Sequence, residues 1–138
     1  MRLLLDTHIW VWSLDDPKRL SDRVAEALRD EDNEVWLSPI SVWEVLLLAE
    51  RGRLGLEDDP AQWVQRALGV SGVREAALNH PVAIRSREVE LEHEDPADRF
   101  LAATAEIYEL TLITEDERLL TGKSWSVLSN RASSRGEP

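Results

Sequence analysis

A short apolar run that stops at an acid, Arg2-Leu3-Leu4-Leu5-Asp6, constrains the fold of this chain more than any other feature. Consecutive leucines are typical of a strand covered on both faces, as strands are in parallel sheets flanked by helices. Ligands of open α/β sheets bind in the crevice at the carboxyl ends of the strands. Asp6 is therefore a candidate site residue at the carboxyl edge of a sheet.

The rest of the chain alternates helical patterns with short apolar strands. Further strands are predicted at Glu34 to Ser38, Val73 to Leu78, Thr111 to Thr114 and around Val127 and Leu128. Helices are predicted at Asp6 to Leu14, after Ser21, from Pro39 to about Glu50, from Pro60, at His80 to Glu90 and from Asp95 to Tyr108. This alternation predicts a mostly parallel α/β sheet. We expect one domain over residues 1–130, without repeat or linker, and a disordered tail over 131–138.

Composition narrows the class of protein. The 138 residues, of which 43% are hydrophobic, suffice for one core, and the lack of cysteine excludes disulfide scaffolds and thiolate metal sites. No apolar run approaches ~18 residues and no basic leader precedes one, so we expect a soluble, cytoplasmic protein without a membrane span. A net charge of −11 would repel a polyanion. A nucleic-acid partner would therefore need divalent cations in an acidic cleft, a local basic face, or both.

Several acids stand where helix capping alone could explain them. Asp6, Asp95 and Asp116 each lie at or near the start of a predicted helix, where an Asp side chain accepts a backbone N–H. Asp98 occupies the third helical position after Asp95, as in a capping box. Taken singly, each acid has a structural explanation.

Glu44 has no such explanation. It lies in the middle of the most apolar helix, where no cap needs it and no Lys or Arg stands three or four positions away. A buried carboxylate without a partner costs several kcal/mol, so it must be neutral, paired or bound to a metal. The alternative is that Glu44 reaches solvent at the edge of its helix.

The acids are more informative together than singly. Asp6 and Asp116 both follow apolar strands, and small residues on the helix of Asp98 would let it approach the sheet. Two carboxylates about 4 Å apart repel by about 4 kcal/mol at an effective dielectric of 20, and a hard cation relieves this repulsion. Oxygen ligands without cysteine favour Mg²⁺ or Mn²⁺, and such ions suit phosphodiester hydrolysis.

Three neighbours of these acids are candidate supporting residues. Thr7 and Thr114 could orient an acid or a water molecule. Arg99, next to Asp98, could neutralise an acid or contact a phosphate. Isolated histidines such as His8 and His93 are more typical of hydrogen bonding or packing than of chemistry.

The chain has six tryptophans, which is many for its length. Trp36, Trp43 and Trp63 are predicted to lie in the core. Trp10 and Trp12 lie on nearly opposite faces of the first helix, so one of them could reach a protein interface.

Four motifs resemble, in order and spacing, those of PIN-domain nucleases, and most closely the VapC-type toxins of type II toxin–antitoxin systems. The motifs are Leu3-Leu4-Leu5-Asp6-Thr7-His8, Ser41-Val42-Trp43-Glu44, His93-Glu94-Asp95-Pro96-Ala97-Asp98-Arg99 and Leu112-Ile113-Thr114-Glu115-Asp116. The resemblance runs from residue 2 to about residue 128. It implies a three-layer α/β/α fold with a central, mostly parallel sheet. It also implies Mg²⁺- or Mn²⁺-dependent endoribonuclease activity, a homodimer, and inhibition by a cognate antitoxin whose C-terminal segment fills the active-site groove.

The resemblance carries over residue by residue. Asp6, Glu44, Asp98 and Asp116 match the four acids of the family, and Asp95 is a nearby acid of the third motif. The chain departs from the pattern at position 94, where relatives often carry a basic residue and this chain has Glu.

Three hypotheses about function follow. In the first, Asp6, Glu44, Asp98 and Asp116 are catalytic, and the three aspartates hold one or two divalent ions for in-line attack of water on an RNA phosphodiester. In the second, the protein is a catalytically silent PIN-like module that binds a protein partner. In the third, it is a phosphatase with Asp6 as nucleophile, although it lacks a convincing lysine partner and has His8 where a second acid is needed.

Overall fold

A computed structural model describes residues 1–56, 59–122 and 124–131 of the chain. Its five strands are β1 (Arg2–Leu5), β2 (Glu34–Leu37), β3 (Arg74–Glu75), β4 (Thr111–Thr114) and β5 (Ser126–Ser129). They form one sheet in the order β3-β2-β1-β4-β5, and every neighbouring pair is parallel. The helices are α1 (Thr7–Asp15), α2 (Asp22–Arg29), α3 (Pro39–Glu50), α4 (Pro60–Ser71), α5 (His80–Ser86), α6 (Pro96–Tyr108) and α7 (Glu117–Leu120), with a 3-10 turn at Pro17–Arg19.

The leucines of β1 explain why this strand lies at the centre of the sheet. Leu4 pairs with Trp36 of β2 on one side and with Leu112 of β4 on the other. Because side chains alternate along a strand, Leu3 and Leu5 pack in one hydrophobic cluster and Leu4 packs in a second. Both faces of the sheet are thus covered by helices. This confirms the predicted three-layer α/β/α fold.

Two predicted elements are shorter in the structure. The strand expected over Val73 to Leu78 has only the two residues Arg74 and Glu75, because they pair with Trp36 and Leu37 and β2 ends there. The helix expected over His80 to Glu90 ends at Ser86. The carbonyl of Ser86 and those of Val89 and Leu91 in the following loop instead accept hydrogen bonds from Arg99.

Helix α3 is less buried than its composition indicates. Only Ser41 and Val45 are buried, and the Trp43 side chain is 48% exposed. The predicted core position of Trp43 is therefore wrong, because most of α3 is only partly buried and Trp43 lies on its exposed face. Trp63 is buried as predicted, and Trp36 is partly buried.

Within the described residues, no helix is both long and apolar enough to cross a membrane. Arg131, the first residue of the predicted tail, donates from Nε to the Glu115 carbonyl at 2.9 Å. Residues 132–138 of that tail lie outside the described residues.

Candidate active site

A cleft of about 420 Å³ opens at the carboxyl ends of β1 and β4, where the first strand predicted a ligand site. The four acids selected from the sequence line it, although they come from four different elements. The acids of the cleft are Asp6, Glu44, Asp95, Asp98, Glu115 and Asp116, and its other lining residues are His8, Ile9, Trp12, Arg19 and Arg118.

Asp6 is held at the end of β1 by two hydrogen bonds. It is the N-cap of α1, where its Oδ1 accepts from the Thr7 backbone N–H at 2.7 Å. Its Oδ2 accepts from the Thr114 hydroxyl at 2.6 Å. Burial of the carboxyl group raises the pKa of Asp6 despite these two hydrogen bonds. Asp6 is thus both the predicted cap and a cleft residue, and Thr114 orients it.

Glu44 lines the cleft from α3 and contacts Thr7, the first residue of α1. Its Oε1 accepts from the Thr7 hydroxyl at 2.5 Å, and that hydroxyl also lies 3.2 Å from the Ser41 Oγ. Burial raises the pKa of Glu44, and the negative charges of Asp6 and Asp95 add to this effect. Glu44 therefore faces the other acids, as the cleft hypothesis required, while keeping part of its surface in solvent.

Asp98 is the least satisfied acid of the cleft. It is buried in the first turn of α6, and its Oδ2 has no hydrogen-bond partner among the described residues. Burial, followed by the charges of Asp95, Asp6 and Asp116, raises the pKa of Asp98 to about 8. Asp95 has the capping role that its position predicts, because its Oδ1 accepts from the Ala97 N–H at 3.0 Å.

Asp116 follows β4 and caps the short helix α7, which the sequence did not predict. Its carboxylate accepts from the Arg118 backbone N–H at 2.9 Å and from the Arg118 Nη2 at 3.0 Å. The same Nη2 lies 3.6 Å from the Asp98 Oδ2. Partial burial acts to raise the pKa of Asp116, but the hydrogen bonds and charge of Arg118 outweigh it and leave that pKa lowered. Arg118 is thus the cation nearest to two of the acids.

His93 lies against Asp98. Its Nε2 is 3.5 Å from the Asp98 Oδ2, and both ring nitrogens are buried without a hydrogen-bond partner among the described residues. His8 lines the cleft from α1 and packs on Trp12, with ring centroids 5.7 Å apart.

Arg99 does not have the role expected of it. Its buried guanidinium donates to the carbonyl of Ser86, the last residue of α5, and to the loop carbonyls of Val89, Leu91 and His93. It therefore fixes the loop that carries His93. The prediction that Arg99 neutralises an acid or contacts a phosphate is wrong for this arrangement.

The donor set of the cleft fits a hard divalent cation better than a soft one. It offers carboxylate oxygens without cysteine, and Asp98 Oδ2 is a buried oxygen that lacks a donor. In the arrangement described, with Arg118 between Asp98 and Asp116, no three Asp, Glu, His or Cys side chains of residues 1–56, 59–122 and 124–131 are placed to hold one ion. Cation binding would therefore require Arg118 and the acids to shift.

The chain is similar to known proteins over most of its length. Residues 3–121 match the sequence profile of the family described as "PIN domain". The chain is 33% identical over 118 residues to "Ribonuclease VapC22" of Mycobacterium tuberculosis, a match that covers 85% of this chain and 88% of that protein.

Solved structures show the same fold. DNA-bound VapBC from Salmonella typhimurium superposes with a TM-score of 0.71 at 16% identity, over 95% of this chain and 99% of that chain. VapBC2 from Rickettsia felis, bound to a promoter DNA fragment, gives 0.69 at 15% identity, over 94% and 98%. The extent of the profile match and the identity to a relative lead to one conclusion: this chain belongs to the PIN domain family.

Proposed function

We propose that this protein is a divalent-metal-dependent endoribonuclease and the toxin of a toxin–antitoxin pair. The observation that carries the proposal is the position of Asp98, a buried carboxylate whose Oδ2 accepts no hydrogen bond from the described residues. Its cleft also holds the predicted acids Asp6, Glu44 and Asp116, and Asp95, which caps α6. The 33% identity to a ribonuclease supports the same reaction class. RNA is then the substrate despite the net charge of −11, because cations in the cleft would offset the local repulsion.

Asp6, Asp98 and Asp116 are the residues that would hold Mg²⁺ or Mn²⁺. When bound, such an ion lowers the pKa of water and offsets charge on a phosphodiester. Thr114 keeps the Asp6 carboxylate directed into the cleft, and the Asp116 carboxylate is fixed by the start of α7. The raised pKa of Asp98 indicates that this site favours the arrival of positive charge.

Glu44 is suited to move a proton. Thr7 donates to its Oε1, and no donor among the described residues reaches its Oε2, so Oε2 is the oxygen that would accept the proton. A carboxyl group with a raised pKa is a better base than an ordinary one near neutral pH. We therefore assign the proton transfer to Glu44 and the cation to the three aspartates.

The phosphatase hypothesis has weaker support from the geometry. A nucleophilic Asp6 needs an oxygen directed at the phosphorus atom, but both of its oxygens accept hydrogen bonds, from Thr7 and from Thr114. These two hydrogen bonds orient the Asp6 carboxylate, which suits a residue that would bind a metal ion.

The partner of the protein would be a cognate antitoxin. The VapBC structures with the same fold are toxin–antitoxin complexes, and some of them hold DNA. Exposed apolar side chains, including Trp43 on α3 and Leu68 and Val70 on α4, offer surface for the antitoxin and for a homodimer. Co-purification with the product of a neighbouring small gene, followed by light scattering, tests both.

Cleavage of RNA by purified protein tests the activity. Wild-type protein with Mn²⁺ should fragment RNA, and EDTA should stop it. Asp6→Asn and Asp98→Asn should each abolish cleavage, whereas Glu94→Gln, on an exposed acid paired with Arg87 outside the cleft, should not. Undiminished cleavage by both Asn variants would refute the assignment. If no RNA is cut and calorimetry finds no Mn²⁺ site that Asp6→Asn removes, the protein is the silent PIN-like module instead.

A further inference from the structure

Trp12 and Arg19 form a pair at the wall of the cleft that the proposed chemistry does not use. The Arg19 Cζ lies over the Trp12 ring, 4.2 Å from its centroid, which is stacking distance for a cation–π contact. Both residues line the cleft that holds the acids. The cleft thus has a planar cation on a planar aromatic beside its carboxylates.

The charges around the cleft set Arg19 apart from Arg118. Arg118 is engaged by the Asp116 carboxylate, whereas no carboxylate of the described residues lies within ion-pair distance of Arg19. Arg19 is exposed and lines the cleft, so a ligand in the cleft can reach its side chain. In a protein with a net charge of −11, such an arginine beside six acids needs a reason.

The position of Arg19 is fixed from beneath. Asn130, a buried residue at the end of β5, donates from Nδ2 to the Arg19 carbonyl at 3.0 Å and to the Glu115 Oε1 at 2.9 Å. Its Oδ1 accepts from the Ser21 N–H at 2.8 Å. One buried amide therefore ties the 3-10 turn of Arg19 to the strand ends that carry the acids. The backbone of Arg19 is thus anchored beside the cleft, and its guanidinium is positioned by the Trp12 ring.

We infer that the Trp12–Arg19 pair binds one unpaired nucleotide of an RNA strand next to the acids. The base stacks on the guanidinium face, as bases do on arginine planes and aromatic rings, and the adjoining phosphate meets the Arg19 charge. Only an unpaired base can present its face in this way. The inference rests on the proposed ribonuclease function and adds the residues that position the RNA strand beside the acids.

Binding of two small ligands separates the inference from the cleavage reaction. Adenosine 5′-monophosphate has a base and a phosphate but no phosphodiester bond, and ribose 5-phosphate lacks the base. In the full chain with Mg²⁺, NMR titration should show that adenosine 5′-monophosphate binds more tightly than ribose 5-phosphate. The nucleotide should also shift the indole N–H signal of Trp12, which is assigned as the signal that disappears in Trp12→Phe.

Variants of the pair supply the controls. Arg19→Gln should weaken binding of adenosine 5′-monophosphate about tenfold, the size of a lost stacking contact. Arg19→Lys should keep the affinity for ribose 5-phosphate and lose the preference for the nucleotide. Lys18→Gln removes the same charge from an adjacent exposed residue that does not line the cleft, and should change neither affinity.

The outcomes are separable from those of the proposed function. Equal affinities for the two ligands, or an Arg19→Gln variant that behaves as Lys18→Gln does, would overturn the inference even if the protein cleaves RNA. If the protein binds the nucleotide through Arg19 but cuts no RNA, the result would support the subsite and refute the proposed ribonuclease activity. Arg19 is exposed, so its variants should fold as the wild type does.

Discussion

On the β1 side of the cleft each acid accepts a short hydrogen bond from a threonine hydroxyl, whereas on the α6 side Asp98 has a buried oxygen with no donor. Asp6 and Glu44 are thus oriented by groups that carry no charge. Asp98 and Asp116 depend on the side chain of Arg118, which is 57% exposed. A neutral hydroxyl orients a carboxylate without balancing its charge, whereas the exposed Arg118 balances charge that another cation could balance instead.

This difference assigns separate tasks to the two sides. The threonine side sets the position of the carboxylates, and the Asp98 side sets the demand for positive charge. Because the pKa of Asp98 is raised mainly by burial and then by neighbouring acids, a cation that binds there removes an unfavourable interaction that already exists. Substitutions directed at each side test this division of tasks.

The largest effect should come from Asp98→Asn. The variant should cleave RNA at least about a hundredfold more slowly, because a bound cation contributes several kcal/mol to stabilisation of the transition state. Initial rates with Mn²⁺ measure this loss, and circular dichroism checks that the fold persists. A variant that retains wild-type rates would show that the Asp98 side does not bind the catalytic cation.

The stability of the metal-free protein should fall as pH rises. The pKa of Asp98 is about 8 in the folded protein, against roughly 3.9 in an unfolded chain, so between these values the folded state binds more protons. The free energy of unfolding therefore decreases from pH 4 towards pH 8, by up to a few kcal/mol. Urea denaturation in EDTA at pH 5 and pH 8 measures the slope.

Mn²⁺ and the Asn variant provide the controls for this slope. Mn²⁺ should flatten it, and Asp98→Asn, which cannot ionise, should reduce it. If wild type and Asp98→Asn lose the same stability over this range, the slope has its origin in other groups, such as Asp6 and Glu44, whose pKa values are also raised.

Thr114→Val tests the side that hydroxyls hold. The change keeps the shape of a fully buried side chain but removes the donor to Asp6 Oδ2 and the acceptor of the Asp116 N–H. We expect a loss of about 1–3 kcal/mol in the free energy of unfolding, because buried polar groups lose their partners.

Thr104→Val is the matched control for Thr114→Val. Thr104 is equally buried, and its hydroxyl donates only to the Phe100 carbonyl within α6. Its loss should cost less, since a helix carbonyl keeps its backbone bond. Equal losses in the two variants would mean that the hydrogen bond to Asp6 has no special value.

The smallest effect should come from Arg118→Gln. The Arg118 side chain is more than half exposed, so stability should change by less than about 1 kcal/mol. The affinity for Mn²⁺ should rise a few fold, because a competing positive charge is removed. Arg87→Gln, on an exposed arginine paired with Glu94 at 3.1 Å, is the control and should leave the affinity unchanged. A lower affinity in Arg118→Gln would show that Arg118 assists the cation.

Three of the acids could be found from local patterns of sequence. Asp6 and Asp116 follow apolar strands at the edge where ligands bind, and Glu44 interrupts an apolar helix. The consecutive leucines of β1 indicated a central strand that is covered on both faces. These patterns are local in sequence and do not depend on how distant elements pack against one another. Asp98 has an ordinary capping position, so its selection depended on the small residues of its helix and on the motif it belongs to.

The parts that could not be predicted depend on packing. Arg99 was placed near the acids because it follows Asp98, but successive residues of a helix point about 100° apart, so the two face different surroundings. Trp43 was placed in the core because α3 is apolar on all sides, which does not indicate the side that packs. Arg118 was missed because the four residues of α7 are too few to show a helical period.

The tie made by Asn130 has a consequence for synthesis of the protein. The first acid and the central leucines leave the ribosome early, but the turn that carries Arg19 is fastened to Glu115 by a side chain more than a hundred residues later. Every nascent chain that stops before Asn130 therefore has an unfinished cleft. The complete site can form only on chains translated past Asn130.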